Sequence, residues 1–231
     1  MRKSNQDAFK VNTLPDGGGW AVVCDGMGGA NGGNVASKMA IDIISSNIIE
    51  NYRDKSDDNS IRNLLISGIS SANTQIYEKA CADPALEGMG TTVVCVLLAG
   101  GVAHIAHAGD SRAYLFNNEE FTAVTKDHSI IQTMLENGQL SEDEARTHPK
   151  KNIITRAVGV DDKIDVDYTE VYLKDDDALL ICTDGLTNYV TPDDIYKCIK
   201  RDIKRAPKNL VALANKNGGG DNITVVLILP A

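Results

Sequence analysis

Ala21-Val22-Val23-Cys24-Asp25-Gly26 and Leu179-Leu180-Ile181-Cys182-Thr183-Asp184-Gly185 are two apolar runs that finish alike, on an aspartate followed by a glycine. A third run, Asp221-Asn222-Ile223-Thr224-Val225-Val226-Leu227-Ile228, starts on its aspartate. Short runs rich in β-branched residues and bounded by Gly and Asp read as buried strands. If the first two run one way through a sheet and the third returns, Asp25, Asp184 and Asp221 emerge at one edge. Three carboxylates in one place repel, and each raises the pKa of the others. A divalent cation relieves that repulsion, and an all-oxygen donor set suits Mg²⁺ or Mn²⁺.

On either side of these runs helices and strands alternate in blocks. Residues 8–11 and 20–24 form a hairpin around Pro15-Asp16-Gly17-Gly18-Gly19. Residues 34–50 read as a helix, with Ala36, Ala40, Ile44 and Ile48 on one face. A second helix takes Ser60 as its N-cap and carries Ile61, Leu65, Ile69, Ala72 and Ile76. Both stripes are core. Residues 89–98, 102–108, 113–116 and 121–124 are strands joined by turns too short for parallel crossovers, hence an antiparallel meander. Residues 126–138 read as a helix, and Ser141-Glu142-Asp143-Glu144 as a capping box. Residues 136–160 form a flap between sheet strands. Residues 164–173 and 177–183 return to strand. Thr191-Pro192 opens a helix to about Ile203, and Pro207 begins another that ends at Gly218-Gly219-Gly220. The pattern is an α+β fold, and two sheets face to face, each covered by helices, bury both stripes. Residues 1–231 read as one domain.

The formal net charge of -9 argues against binding nucleic acid or an anionic membrane. Five cysteines stand without a close pair, several inside apolar runs. They read as buried small hydrophobes in a reducing compartment rather than a disulfide framework. No signal-like segment and no run of about 18 apolar residues is present, so a soluble cytoplasmic protein, or the soluble domain of something longer, is expected; a monomer is expected as well.

Asp7 and Asp110 join the three aspartates at the ends of predicted strands. One Asp-Gly is a turn signal before it is anything else. Five acidic positions at strand termini are harder to dismiss, because a buried carboxylate must be paired or metal-bound. Two divalent ions about 3.5–4 Å apart can share a water and lower its pKa. They also offset charge on a phosphoryl oxygen. A phosphate needs an organic cation besides, and Arg2 is the candidate, since guanidinium grips phosphate in a planar fork. On residue chemistry alone a frayed terminus explains Arg2 as well.

Arg2-Lys3-Ser4-Asn5-Gln6-Asp7, Val23-Cys24-Asp25-Gly26-Met27-Gly28-Gly29, Gly90-Thr91-Thr92, Gly109-Asp110-Ser111-Arg112, Cys182-Thr183-Asp184-Gly185 and Gly220-Asp221-Asn222-Ile223-Thr224, in this order, resemble the PP2C-type metal-dependent serine/threonine protein phosphatases in their bacterial form. The resemblance covers essentially the whole chain. It implies an α-β-β-α sandwich of two antiparallel sheets flanked by helix pairs. It implies two Mn²⁺ or Mg²⁺ ions, with Asp25 bridging both, the Gly26 carbonyl on one, and Asp184 and Asp221 on the other. Gln6 and Asp7 would contact metal-bound waters, and Arg2 would hold the phosphate. Asp110 with Asp184 resembles the third, weaker metal site of bacterial members, and residues 127–160 correspond to the substrate-bordering flap. The implied reaction is direct attack of metal-activated water on phosphoserine or phosphothreonine. Phosphorylated proteins are the implied partners, with a bacterial Ser/Thr kinase beside them.

Two positions depart from the family pattern. Gln6 stands where glutamate is usual. Met27 stands where eukaryotic relatives carry a histidine that protonates the leaving group, so a metal-bound water is the expected acid. His104, His107, His128 and His148 are read as packed or surface residues. A catalytically weak phosphoprotein-binding regulatory domain and a metal-dependent phosphodiesterase are the competing readings.

Overall fold

The computed structural model describes residues 4–29, 31–117 and 119–230. Arg2 lies outside them. The first sheet runs in the order β1 (Asp7–Thr13), β2 (Gly19–Met27), β4 (Val93–Ala99), β5 (Val102–Ala108) and β8 (Asp167–Tyr172). The two-residue β3 (Gly90–Thr91) pairs with the end of β2. The second sheet runs β10 (Val225–Ile228), β9 (Ala178–Cys182), β6 (Arg112–Phe116) and β7 (Phe121–Ala123). Every pairing is antiparallel.

Side-chain alternation explains the layering. In a strand, successive side chains point to opposite faces. Trp20, Val22 and Cys24 pack under α1 (Gly32–Asn51) and α2 (Asp58–Ala82), whose predicted stripes are all buried there. Ala21 and Val23 point the other way and meet Leu179 and Ile181 of the second sheet. The outer face of that sheet, with Tyr114, Leu180 and Cys182, is covered by α6 (Pro192–Arg201) and α7 (Ala206–Lys216). The expected α-β-β-α sandwich follows, with three apolar layers instead of one.

Several boundaries differ from the sequence expectation, each for a local reason. The N-cap of α2 is Asp57, whose carboxylate accepts from the Ser60 N–H at 2.7 Å. The first flap helix, α3 (Ile130–Glu136), starts four residues later than expected. Asp127 is engaged by Arg112 and His128 by Gly109, which holds residues 126–128 out of the helix, and Ser129 caps it instead. The capping box at Ser141 is present and opens α4 (Glu142–Thr147). The meander is not continuous. Gly109 and Asp110 carry the chain from β5 in the first sheet to β6 in the second. Gly109 has φ +110°, and a Cβ there would meet the Thr92 side chain at 2.6 Å, so only glycine fits this crossing.

Candidate metal centre

The two sheets meet at their ends, and that junction is where the acidic residues gather. They do not emerge at one edge of one sheet, as the simplest reading of the three runs implies. Asp25 belongs to the first sheet. Asp184 follows β9 of the second and is the first residue of α5 (Asp184–Thr187). Asp221 sits in the loop ahead of β10, which starts only at Val225. In that loop side chains take over backbone partners that a strand would use. The Asn222 amide oxygen accepts from the Gln6 N–H at 2.8 Å, and the Thr183 hydroxyl accepts from the Thr224 N–H at 3.0 Å. Gly185 has no room for a side chain because the Asn222 carbonyl lies against it, so the two acidic segments approach closely.

Asp7 stands directly opposite Asp25 in the β1–β2 register. One of its oxygens, Oδ2, accepts from the Thr224 hydroxyl at 2.7 Å and the Thr183 hydroxyl at 3.0 Å. The backbone around Asp25 is also held. Its N–H donates to Thr92 Oγ1 at 2.9 Å, and its carbonyl accepts from Thr91 Oγ1 and the Thr92 N–H, both at 2.8 Å. Thr92 Oγ1 in turn shares a 2.7 Å hydrogen bond with Ser111, next to Asp110. Asn188 donates to Asp184 Oδ2 at 2.9 Å. The Gln6 amide reaches the Gly29 carbonyl at 3.3 Å, a bond the usual glutamate could not donate.

The electrostatics follow from burial and from the closeness of these carboxylates to one another. Burial pushes Asp25 up to about 10, assisted by the negative charges of Asp7, Asp184, Asp110 and Asp221. Burial and Asp184 raise Asp110 to about 7. Burial and Asp221 raise Asp184 to about 6. Asp7 is raised as well, chiefly by burial. Arg112 opposes the trend at Asp110 and Asp184, although its guanidinium is forked onto Asp127 at 2.7 and 2.6 Å. Sequence reading missed Arg112, although it stands two residues after Asp110.

The donor set fits a hard divalent cation. Asp7 Oδ1 and Asp184 Oδ1 are buried without a donor among the described residues. Asp25 can bond to Asp7 and Asp184 only while one of the carboxyls carries a proton, since two carboxylates have no hydrogen to share. Buried polar atoms are almost always satisfied, so a cluster with two orphaned oxygens and several raised carboxyls asks for cations. Thr183, Thr224, Asn188 and Arg112 are the supporting parts. The visible signal for the threonines was slight: Thr183 directly precedes Asp184, and Thr224 follows Asp221 by three residues.

A second cluster joins His107, His128 and Asp167, with ligand atoms within 4.8 Å of one another. It is a poorer cation site. The Gly109 N–H donates to His128 Nδ1 at 3.0 Å, so the proton of the neutral ring sits on Nε2, facing Asp167 at 3.2 Å. Arg156 already occupies Asp167 at 2.6 Å. His104 is buried against the Tyr168 hydroxyl at 2.7 Å, and His148 accepts from the Lys150 N–H. The packed reading of these histidines matches their surroundings. Burial also pushes the Cys24, Cys95 and Cys182 thiols up, which leaves no thiolate nucleophile among those three.

Comparison with known proteins bears on the family and the fold. The family profile described as protein phosphatase 2C matches residues 2–212. A serine/threonine phosphatase from Listeria welshimeri is 38% identical over 231 residues, covering 99% of this chain and 91% of that protein. The crystal structure of a Staphylococcus aureus serine/threonine phosphatase superposes with TM-score 0.92 at 34% identity, over 100% of this chain and 91% of that one. The catalytic domain of the phosphatase PstP, solved with 2 manganese ions, gives TM-score 0.82 at 29% identity, over 98% and 92% of the two chains. A profile matched along most of the length, close relatives over nearly all of it and a shared two-sheet architecture place this chain in the protein phosphatase 2C family.

Proposed function

We propose that Asp7, Asp25, the Gly26 carbonyl, Asp110, Asp184 and Asp221 hold the divalent cations of this enzyme, with Arg2 as the cation that receives the phosphate. The chain is a metal-dependent phosphoprotein phosphatase of the serine/threonine class. The observation that carries the site assignment is the pair of orphaned oxygens, Asp7 Oδ1 and Asp184 Oδ1, inside a cluster whose carboxyl pKa values are raised together. Bound there, two divalent ions supply an activated water and neutralise charge building on the phosphoryl oxygens.

The chain's own residues perform the positioning. Thr91 and Thr92 fix the Asp25 backbone, Thr183 and Thr224 fix Asp7, and Asn188 orients Asp184. Preset ligands need no reorganisation when charge develops. No covalent intermediate is required. Mn²⁺ and Mg²⁺ both suit the oxygen set, and Asp110 with Asp184 offers a third, weaker position. Residues 127–160 form a flap on a single domain, and its sequence sets the substrate range.

The regulatory-domain and phosphodiesterase readings fit less well, since the relatives are named phosphatases and the chain carries a net charge of -9. Phosphorylated proteins of the cytoplasm, and a serine/threonine kinase that makes them, are the proposed partners of a monomeric enzyme. Among the described residues no helix is long and apolar enough to cross a membrane. The test is hydrolysis of p-nitrophenyl phosphate with Mn²⁺ or Mg²⁺. Activity abolished by a chelator and restored by the metal supports the assignment, and full activity after complete metal removal contradicts it.

A further inference from the structure

A cavity of about 750 Å³ opens between the flap and the segment that follows α5. It adjoins the acidic centre through two of its walls. Asn188 lines it and donates to Asp184, and Arg112, two residues after Asp110, lines it as well. Its floor is partly apolar, with Val124, Ile131, Leu135 and Val190.

Its charge is opposite to that of the protein. Four basic side chains, Arg112, Lys126, Arg146 and Lys151, line it against two acidic ones, Asp127 and Glu142, in a chain whose net charge is -9. Arg112 is committed to Asp127 and Lys126 to Glu136. Arg146 and Lys151 have no ion-pair or side-chain hydrogen-bond partner among the described residues. Arg146 sits in the last turn of α4, and Lys151 follows it in the flap.

We propose that this cavity is the subsite for the residues flanking the phosphorylated side chain, and that Arg146 and Lys151 select an acidic residue there. The inference rests on the phosphatase reading and adds a substrate class to it: phosphoproteins whose scissile residue has aspartate or glutamate nearby. Two uncommitted cations beside an acidic catalytic centre attract such a segment, while a basic segment meets repulsion. Each exposed ion pair is worth roughly two- to fivefold in relative specificity.

The test compares two phosphothreonine peptides of equal length, one with glutamates and one with lysines around the phosphothreonine. Hydrolysis of p-nitrophenyl phosphate by the same wild-type preparation is measured in parallel. The expected result is a kcat/KM ratio favouring the acidic peptide several-fold, shrinking as salt is raised and reversing in an R146E/K151E variant of unchanged Tm. The salt titration uses the wild type alone and stands even if the variant does not fold. No preference between the peptides, or a preference indifferent to salt, overturns the inference while the phosphatase reading survives. Absence of p-nitrophenyl phosphate hydrolysis overturns both.

Discussion

Asp7 and Asp25 face each other directly across the β1–β2 ladder. Like charges at directly opposed strand positions destabilise a sheet. The register therefore sets two carboxyls against each other, and Asp25, raised to about 10 by burial first and by the Asp7 charge next, carries the cost in the metal-free protein.

The pH dependence of the metal-free protein follows from that conflict. Asp25, Asp110 and Asp184 have folded pKa values above the ordinary carboxylate range, so the fold binds more protons than the unfolded chain. Where that holds, stability falls as pH rises. The window runs from about pH 4, the unfolded carboxylate value, to about 10; it is steepest at about pH 5, where the fold still holds all three protons and the unfolded chain has lost them, and it grows shallower through about 6–7 as Asp184 and Asp110 titrate. In chelator, Tm is expected to be lower at pH 8 than at pH 6. Added Mn²⁺ should remove most of that difference and release protons, both readable by scanning fluorimetry and calorimetry. A Tm that rises with pH in chelator contradicts the assignment.

Asp25→Asn should separate stability from function. Removing the most strongly perturbed carboxylate relieves repulsion, so the metal-free Tm should rise, while activity should drop by more than about a hundredfold, the upper range for a supporting residue. Loss of both Tm and activity would point to a structural role instead.

Asp184→Asn and Asp110→Asn should differ. Asp184 meets the charges of Asp221 and Asp7 and is linked to Asp25, so its loss should cost turnover by several powers of ten. Asp110 meets the charges of Asp184 and Asp127 and is partly offset by Arg112, so its substitution should chiefly raise the metal concentration required. Steady-state kinetics against Mn²⁺ concentration reads both, and equal damage would contradict the hierarchy.

The threonine clamp on Asp7 predicts a milder effect. Thr224→Val removes the 2.7 Å bond to Asp7 Oδ2 and should cost about 10–100-fold in metal affinity or activity, with Thr224→Ser restoring most of it. Isothermal titration with Mn²⁺ distinguishes this from a simple packing loss, in which serine would not rescue.

Much of this architecture is legible in the sequence because burial imposes periodicity. The stripes through Ala36–Ile48 and Ile61–Ile76 are all core, and the alternation in the β2 and β9 runs places Asp25 and Asp184 at a sheet terminus. What was not legible is what depends on long-range pairing. Nothing local in Gly109-Asp110 says that the chain changes sheets there, and the sheets' meeting point is set by that crossing. Helix propensity at residues 126–128 loses to Arg112 and Gly109, which lie far away in sequence. Asp7 acquires Thr183 and Thr224 only after the ends of the chain come together, 176 and 217 residues apart. The position of Arg2 lies outside the described residues, and its role stays with the family resemblance.

The account stands on divalent cations bound among Asp25, Asp184 and Asp221. An anomalous-difference map from crystals soaked in Mn²⁺ tests this directly. Two strong peaks within that triangle, with a weaker one beside Asp110, are the predicted result. A map with no peak there, or with manganese only at His107, His128 and Asp167, would contradict it.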